Sequence, residues 1–506
     1  MSQLNVENFY RNSRINTSDM RIAILVFFVP TGLLLLLLLS TLVMNSGVVI
    51  YTLDDPYIHM KMARNIWNGH YGINLHEYSA PSSSIIWPFL LAPFSYLGSV
   101  FFYVPLALNA VFAFLTFLLI FNLLKSLGCK YAALITFAIF CSFNLYGLVY
   151  NGMEHSLQVA LTAFIAASIV RREYLQEEKI TNFTYFAIFL LPLVRYEGLA
   201  VSLPTLIYLL INVERKKPLF CAIAILLALV SFSFFLNSLG LGWLPSSVLA
   251  KSDINDMASL GLHVLTQYGQ WGWVVYTVLM VCAFFAGNKS VIWLLLSVTL
   301  LHMVFGKSGW YGRYEIYWLV FVAMLILAIC STQLVGRGMV LVFSCLPVAF
   351  TGLVYVTLST PWASANIYNQ QYMMSMIVGR LNEAVAVNDL GLVSLATDNY
   401  ILDLAGLASY EALLLRRKHK DSLWIGGLMK RHKVKYAFIY EEWFTGRPAN
   451  FLKVAILKLA VPNITSAESS VSLYAVDSAS ADKLKVVLAE FRKAYPSRQF
   501  ELIYVQ

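Results

Sequence analysis

From Ile22 to about residue 358 the chain alternates long apolar runs with short polar gaps. The runs lie at about 22–44, 101–124, 131–150, 154–170, 183–195, 198–213, 218–239, 271–286, 290–305, 314–334 and 339–358. They predict roughly eleven membrane-crossing helices, because a bilayer needs about 20 apolar residues per helix. The two runs flanking residue 196 are shorter than the rest. Ile22 to Met44 is too long for a signal-peptide core and has no small-x-small cleavage site, so it reads as an uncleaved first span. Ile85 to Leu97 is apolar but too short to cross, and is expected to dip into the membrane or lie at its surface.

Past Pro361 the hydropathy drops and the pattern alternates. Strand-like runs fall at Leu392–Thr397, Tyr436–Tyr440, Val471–Val476 and Phe500–Val505. Helical runs fall near Met376–Val387, Leu423–His432, Phe451–Leu459 and Ala481–Ala494. The mixture predicts a soluble α/β domain. The expected division is a polar segment 1–21, a transmembrane domain 22–359 whose first outer loop spans 45–100, and a soluble domain 360–506. The fold class is mainly α: a polytopic helical bundle with a C-terminal extracytoplasmic α/β domain.

Composition agrees with the pattern. Hydrophobic residues make up 59% of the 506 positions and charged residues only 12%, too apolar for a water-exposed globule. In a soluble protein the net charge of +9 would suggest nucleic acid. Here the basic residues cluster in alternate gaps, as Lys125 and Lys130, Arg171, Arg172 and Lys179, Arg215 to Lys217, Lys289, and Arg337, the signature of cytoplasmic loops. With Arg11, Arg14 and Arg21 ahead of the first run, the N-terminus is expected inside and the soluble domain outside. The six cysteines are irregularly spaced and none follows Cys345, so neither a zinc motif nor a disulfide framework is indicated.

The intervening outer gaps gather charged and aromatic residues on one membrane face. The first is Tyr51-Thr-Leu-Asp-Asp-Pro-Tyr, in which Asp54 and Asp55 stand where a span surfaces, a costly position that points to function. Asp before Pro also serves as a plain helix start. The following residues Tyr57, Met60, Arg64 and Trp67 are spaced for an amphipathic helix along the interface. If this face transfers a group to a hydroxyl, Asp54 and Asp55 are the candidate bases. Arg195, Lys251 and Arg313, each at an outer end of a predicted span, are then the candidate cations for a phosphate leaving group. The bland alternatives are local ion pairs, Arg195 with Glu197 and Arg313 with Glu315, a solvated Lys251 beside Asp253, and a capping role for Glu154. His59 has no companion at metal-ligand spacing. A carboxylate pair would also suit a divalent cation, and spacing does not choose between the two uses; no cofactor is indicated otherwise.

Asp54-Asp-Pro-Tyr-Ile-x-x-x-x-Ala-Arg-Asn-Ile-x-x-Gly-His-x-Gly-Ile-Asn resembles the first outer loop of bacterial GT-C glycosyltransferases, in particular those similar to the mycobacterial terminal arabinofuranosyltransferases. Further elements follow in that family's order: Asn151-Gly-Met-Glu-His, Val194-Arg-Tyr-Glu-Gly, Leu244-Pro-Ser-Ser-Val-Leu-Ala-Lys, Gly312-Arg-Tyr and Asp403-Leu-Ala-Gly-Leu. Two departures stand out: Tyr78-Ser-Ala-Pro-Ser-Ser-Ser-Ile-Ile-Trp where the family has Gly-Tyr-Thr-Asn-Pro-Leu-Trp, and Tyr196 where it has Pro.

The resemblance implies a GT-C-like bundle in a bacterial cytoplasmic membrane with its active site facing outwards. It implies a polyprenyl-phosphate sugar as donor, a cell-envelope glycan or protein hydroxyl as acceptor, and arabinofuranose among the sugars. Asp54 and Asp55 become the catalytic centre, and Tyr57, Arg64, Glu154, Arg195, Glu197, Lys251, Arg313 and Tyr314 the candidate substrate-binding residues. A lipid-linked sugar flippase and an oligosaccharide ligase or transferase are the rival readings. Charge gathered at one face, with no paired repeats, separates the chain from the transporter pattern.

Overall fold

The computed structural model describes residues 17–176, 179–251, 257–284, 288–331, 346–419 and 421–505. Helices occupy the apolar runs: Thr17–Met44, Val104–Ser126, Ala132–Ser142, Leu145–Tyr150, His155–Leu175, Asn182–Val194, Leu199–Asn212, Lys216–Ser238, Met257–Phe284, Lys289–Phe305 and Ile316–Ser331. Thr351–Leu358 ends the run predicted at 339–358, whose first part lies outside the described residues. Among the described residues two helical stretches, Trp87–Ser126 and Lys216–Ser238, are long and apolar enough to cross a bilayer by themselves, and shorter apolar helices pack beside them. Phe183, Ile211, Phe220, Leu226 and Leu265 all stand exposed on the outside of this bundle. So much outward apolar surface suits lipid rather than water. Inside, Ala163, Ala166 and Ala167 of His155–Leu175 are fully buried, small enough to let Val104–Ser126 and Ile316–Ser331 close on that helix.

Two segments differ from expectation. The helix Asp55–Trp67 forms where predicted, but Pro56 through Ala63 are buried, so it is a packed element and not a float on the membrane surface. The segment Ile85–Leu97 is also packed in: Trp87–Leu91 starts a helix around the fully buried Trp87, and a 3-10 stretch, Ala92–Tyr103, kinked at Gly98, leads into Val104–Ser126.

A helical connector, Thr360–Ile367 and Met373–Leu381 joined by the π-turn Tyr368–Tyr372, leads into a C-terminal sheet. Its strands are β1 (Val385–Val387), β2 (Ile401–Asp403), β3 (Tyr436–Ile439), β4 (Leu452–Leu459), β5 (Ser470–Ala475) and β6 (Phe500–Tyr504), in the order β2-β1-β3-β5-β4-β6. The β2-β1-β3 half is parallel and the rest antiparallel. Helix Ser478–Ala494 covers one face with Leu484, Leu488 and Phe491, and Trp424–Arg431 supplies Ile425, Leu428 and Met429 to the other cluster.

Leu392–Thr397, expected as a strand, is helix Gly391–Ala396, and Phe451–Leu459, expected as a helix, is strand β4. The physical reason in β4 is a bulge between Lys453 and Ala455. One extra residue breaks strict alternation, so the consecutive Val454 and Ala455 are both buried and the period of two is lost.

Candidate functional site

The acidic loop is pinned before its helix begins. Thr52 donates its N–H to Tyr150 O at 3.0 Å and its hydroxyl to Asn151 Oδ1 at 2.6 Å. Gly152, at φ +66°, lets the backbone pass close beneath: a Cβ there would meet Tyr51 Cδ1 at 2.7 Å and Pro56 Cβ at 2.9 Å. The Asn151-Gly-Met-Glu element is thus the floor under the loop. Pro56 then starts the helix with its missing N–H where none is needed.

The two acids face different partners. Asp54 sits at the N-cap position without capping its own helix. Its oxygens accept instead from Gly391 N–H at 2.6 Å and Leu392 N–H at 2.8 Å, tying the first loop to the sheet unit. Burial, with the Asp389 carboxylate adding to it, pushes the Asp54 carboxyl up to about 8 against the pull of those two amides. Asp389 accepts from Tyr440 Oη at 2.7 Å and Gln371 Nε2 at 2.9 Å, and burial raises its carboxyl too, with Asp55 contributing. Gln371 reaches it from the π-turn, a distortion often met at functional sites.

Asp55 points the other way, into the bundle. Its Oδ2 accepts from Arg313 Nη2 at 2.7 Å, and the same nitrogen donates to the Tyr314 hydroxyl at 2.8 Å. Arg313 is 2% exposed, yet its Nε and Nη1 have no hydrogen-bond partner among the described residues. A buried guanidinium edge left open in this way is one or two oxyanion acceptors short. The Tyr314 ring lies between two guanidinium groups, 4.7 Å from Arg313 Cζ and 5.1 Å from Arg195 Cζ. Arg195 is compensated: Nη1 donates to Glu154 Oε1 at 2.6 Å and Nη2 to Glu197 Oε1 at 2.9 Å.

Arg195 and Tyr314 also line a cavity of about 490 Å³, together with the polar Ser83, Glu197, His263 and Lys307 and the apolar Leu199, Leu203, Leu301 and Phe305. Leu203 and Phe305 are 43% and 64% exposed on the outer face of the bundle. The cavity wall therefore combines charged groups with apolar residues that are exposed on the bundle.

The other sequence-chosen residues divide. Glu154 is fully buried against Arg195 and makes no side-chain cap, so the capping reading gives way to an ion pair. Glu315 does not pair with Arg313; it accepts from Gly309 N–H at 3.1 Å. Tyr57 is fully buried with its hydroxyl accepting the Tyr51 N–H at 2.9 Å. Arg64 pairs with Asp398 at 3.1 Å, at the far end of its helix from the acids. Lys251 closes the helix Ser246–Lys251, and its side chain, like Asp253, lies outside the described residues. His59 is structural, bonded to Ser82 Oγ at 3.1 Å.

Asp389, Gln371, Tyr440, Lys307 and His263 were not singled out from sequence; only Lys307, inside a charged outer gap, carried any signal. Among the described residues no group of three or more His, Cys, Asp or Glu is arranged to hold a metal. Both Asp54 oxygens accept amides and Asp55 Oδ2 accepts from Arg313, so a divalent cation would share these oxygens with hydrogen bonds already made.

The fold and this site define an integral membrane protein with a charged centre between its bundle and its sheet unit. A model of a domain of unknown function, DUF8728, matches residues 365–474. No curated protein matches the chain. Among solved structures, the chain is similar to the oligosaccharyltransferase of Archaeoglobus fulgidus. The crystal structure of its complex with Zn and sulfate is 11% identical, aligned over 80% of this chain and 67% of that one at a TM-score of 0.42. The apo form is 10% identical over 90% and 77%, at 0.45.

Proposed function

We propose that this chain is a multi-pass membrane glycosyltransferase that moves one sugar from a polyprenyl phosphate to a hydroxyl of a cell-envelope glycan or protein on the outer face of a bacterial cytoplasmic membrane. The observation that carries the reading is the buried Arg313 edge, held against Asp55, open among the described residues, and next to Tyr314, which lines a cavity with exposed apolar residues in its wall. In this reading the prenyl tail enters from the bilayer past Leu203 and Phe305, and its phosphate passes Tyr314 to meet Arg313. Asp55 takes the acceptor proton as the hydroxyl oxygen attacks the anomeric carbon. The bond from that carbon to the phosphate oxygen breaks, and the leaving polyprenyl phosphate keeps the electron pair under Arg313. Asp54 holds the sheet unit against the reacting centre. The motif resemblance supports a pentofuranose such as arabinofuranose as the sugar.

Radiolabelled polyprenyl-phosphate arabinofuranose incubated with membranes containing the chain tests this directly. Label appearing in a glycan or protein fraction, with free polyprenyl phosphate released, supports the reading. Label that only changes leaflet indicates a flippase and overturns it.

A further inference from the structure

The backbone that delivers Arg313 has an uncommon hand. Gly309, Trp310, Tyr311 and Gly312 follow one another at φ +80°, +42°, +65° and +53°. L-residues seldom adopt that region, and two of the four are bulky aromatics. Such a run persists only where its surroundings over-determine it.

Two buried side chains do so from opposite sides. Asn144 Nδ2 donates to Tyr311 O at 3.2 Å and to Gly312 O at 3.0 Å, and its Oδ1 receives the Thr357 hydroxyl at 2.9 Å, which fixes the amide's orientation. Glu315 Oε2 accepts the Gly309 N–H at 3.1 Å. Asn144 is fully buried and Glu315 nearly so, and neither lines the cavity. Asn144 itself sits at φ +54°, where the predicted span 131–150 breaks into Ala132–Ser142 and Leu145–Tyr150. The break thus turns a polar amide out of one helical run to grip two carbonyls of another segment. The carbonyls it grips belong to the two residues before Arg313, so they set the direction in which that side chain leaves the backbone.

We propose that Asn144 and Glu315 are positioning residues that lock the left-handed turn Gly309–Gly312, and that this lock keeps the free edge of Arg313 turned towards an incoming phosphate oxyanion. The phosphate rests on the transferase reading above; the lock rests on geometry alone.

The test uses the full chain in lipid nanodiscs, with phenylglyoxal labelling of arginines read by peptide mass spectrometry. In the unaltered chain Arg313 labels slowly, and farnesyl phosphate slows it further. Gly309→Ala adds a methyl group with nothing within 4 Å to strike, so it challenges the handedness alone. Gly309→Ala, Glu315→Ala and Asn144→Asp should each raise Arg313 labelling roughly tenfold, while Arg195, held by two carboxylates, stays protected. Glu315→Gln keeps an oxygen for the Gly309 N–H and should behave as the unaltered chain. In transfer assays the donor KM should rise with the labelling rate and the acceptor KM should not.

Unchanged Arg313 labelling in the three disruptive variants overturns the lock, as does Glu315→Gln matching Glu315→Ala, or Arg195 loosening in step in Gly309→Ala. Faster Arg313 labelling that farnesyl phosphate never slows upholds the lock and overturns the phosphate role, and the transferase reading with it.

Discussion

Asp55→Asn separates chemistry from architecture more cleanly than any other single change. The substitution preserves shape, and its amide oxygen can still accept from Arg313 Nη2, where the carboxylate now does so at 2.7 Å. What disappears is the charge. A charge-assisted hydrogen bond exceeds a neutral one by about 1 kcal/mol, and because the Asp55 carboxylate is 23% exposed, solvent already screens part of that. Because the buried Arg313 also loses its counter-charge, folding should lose about 1–3 kcal/mol, below the roughly 3–5 of a fully buried pair, and membrane insertion should be normal. Loss of a general base costs about 10²–10⁴-fold in turnover, equivalent to roughly 2.7–5.4 kcal/mol of transition-state stabilisation. The assay is steady-state transfer from polyprenyl-phosphate arabinofuranose, with thermal unfolding measured on the same preparation. The expected result is kcat down at least about 100-fold with the melting temperature shifted by only a few degrees. Turnover within a factor of three of the unaltered chain in a folded variant would refute Asp55 as the base.

Three further outcomes follow. Arg313→Lys keeps the positive charge but loses the planar fork, and the donor KM should rise about tenfold while acceptor KM is unmoved; an unchanged donor KM rules out the phosphate role. Gly391→Ala would drive a Cβ into the Asp54 backbone carbonyl and to 2.7 Å from its Oδ2, loosening the sheet unit by about 1–3 kcal/mol, which limited proteolysis of that unit would register as faster cleavage. With its carboxyl raised to about 8 in the fold, Asp54 holds a proton that the unfolded chain would release, so its contribution is complete below about pH 4 and is lost as pH rises through about 8. Melting temperature should fall between pH 6 and 9, and Asp54→Asn should flatten that slope; equal slopes in the two chains contradict the assignment.

Much of this centre was readable from the chain because its chemistry is carried by charge set among apolar residues. Asp54, Asp55, Arg195 and Arg313 each interrupt the hydrophobic pattern at the end of a run. Tyr57 lies on another side of the helix from Asp55, since two residues on is a turn of about 200°, and its hydroxyl meets Tyr51 N–H and not Arg313. Arg64, nine residues along, is about 13 Å further down the axis. Asp389, Gln371 and Tyr440 had no local signal, since they look ordinary in a soluble region and reach the acids only through the packing of the sheet unit. Glu154 read as a cap because helix-end carboxylates usually are; its real partner lies 41 positions away.

Two neighbouring carboxylates in the first loop are moored to different bodies, one to the amides of Gly391 and Leu392, the other to a guanidinium of the bundle. The C-terminal unit is therefore a wall of the candidate site and not cargo hung beside it. Severing it after the connector should leave a bundle that still inserts but whose acidic loop has lost half its mooring. Anything large that tugs on that unit would be felt at Asp54, one peptide bond from Asp55, the proposed proton acceptor.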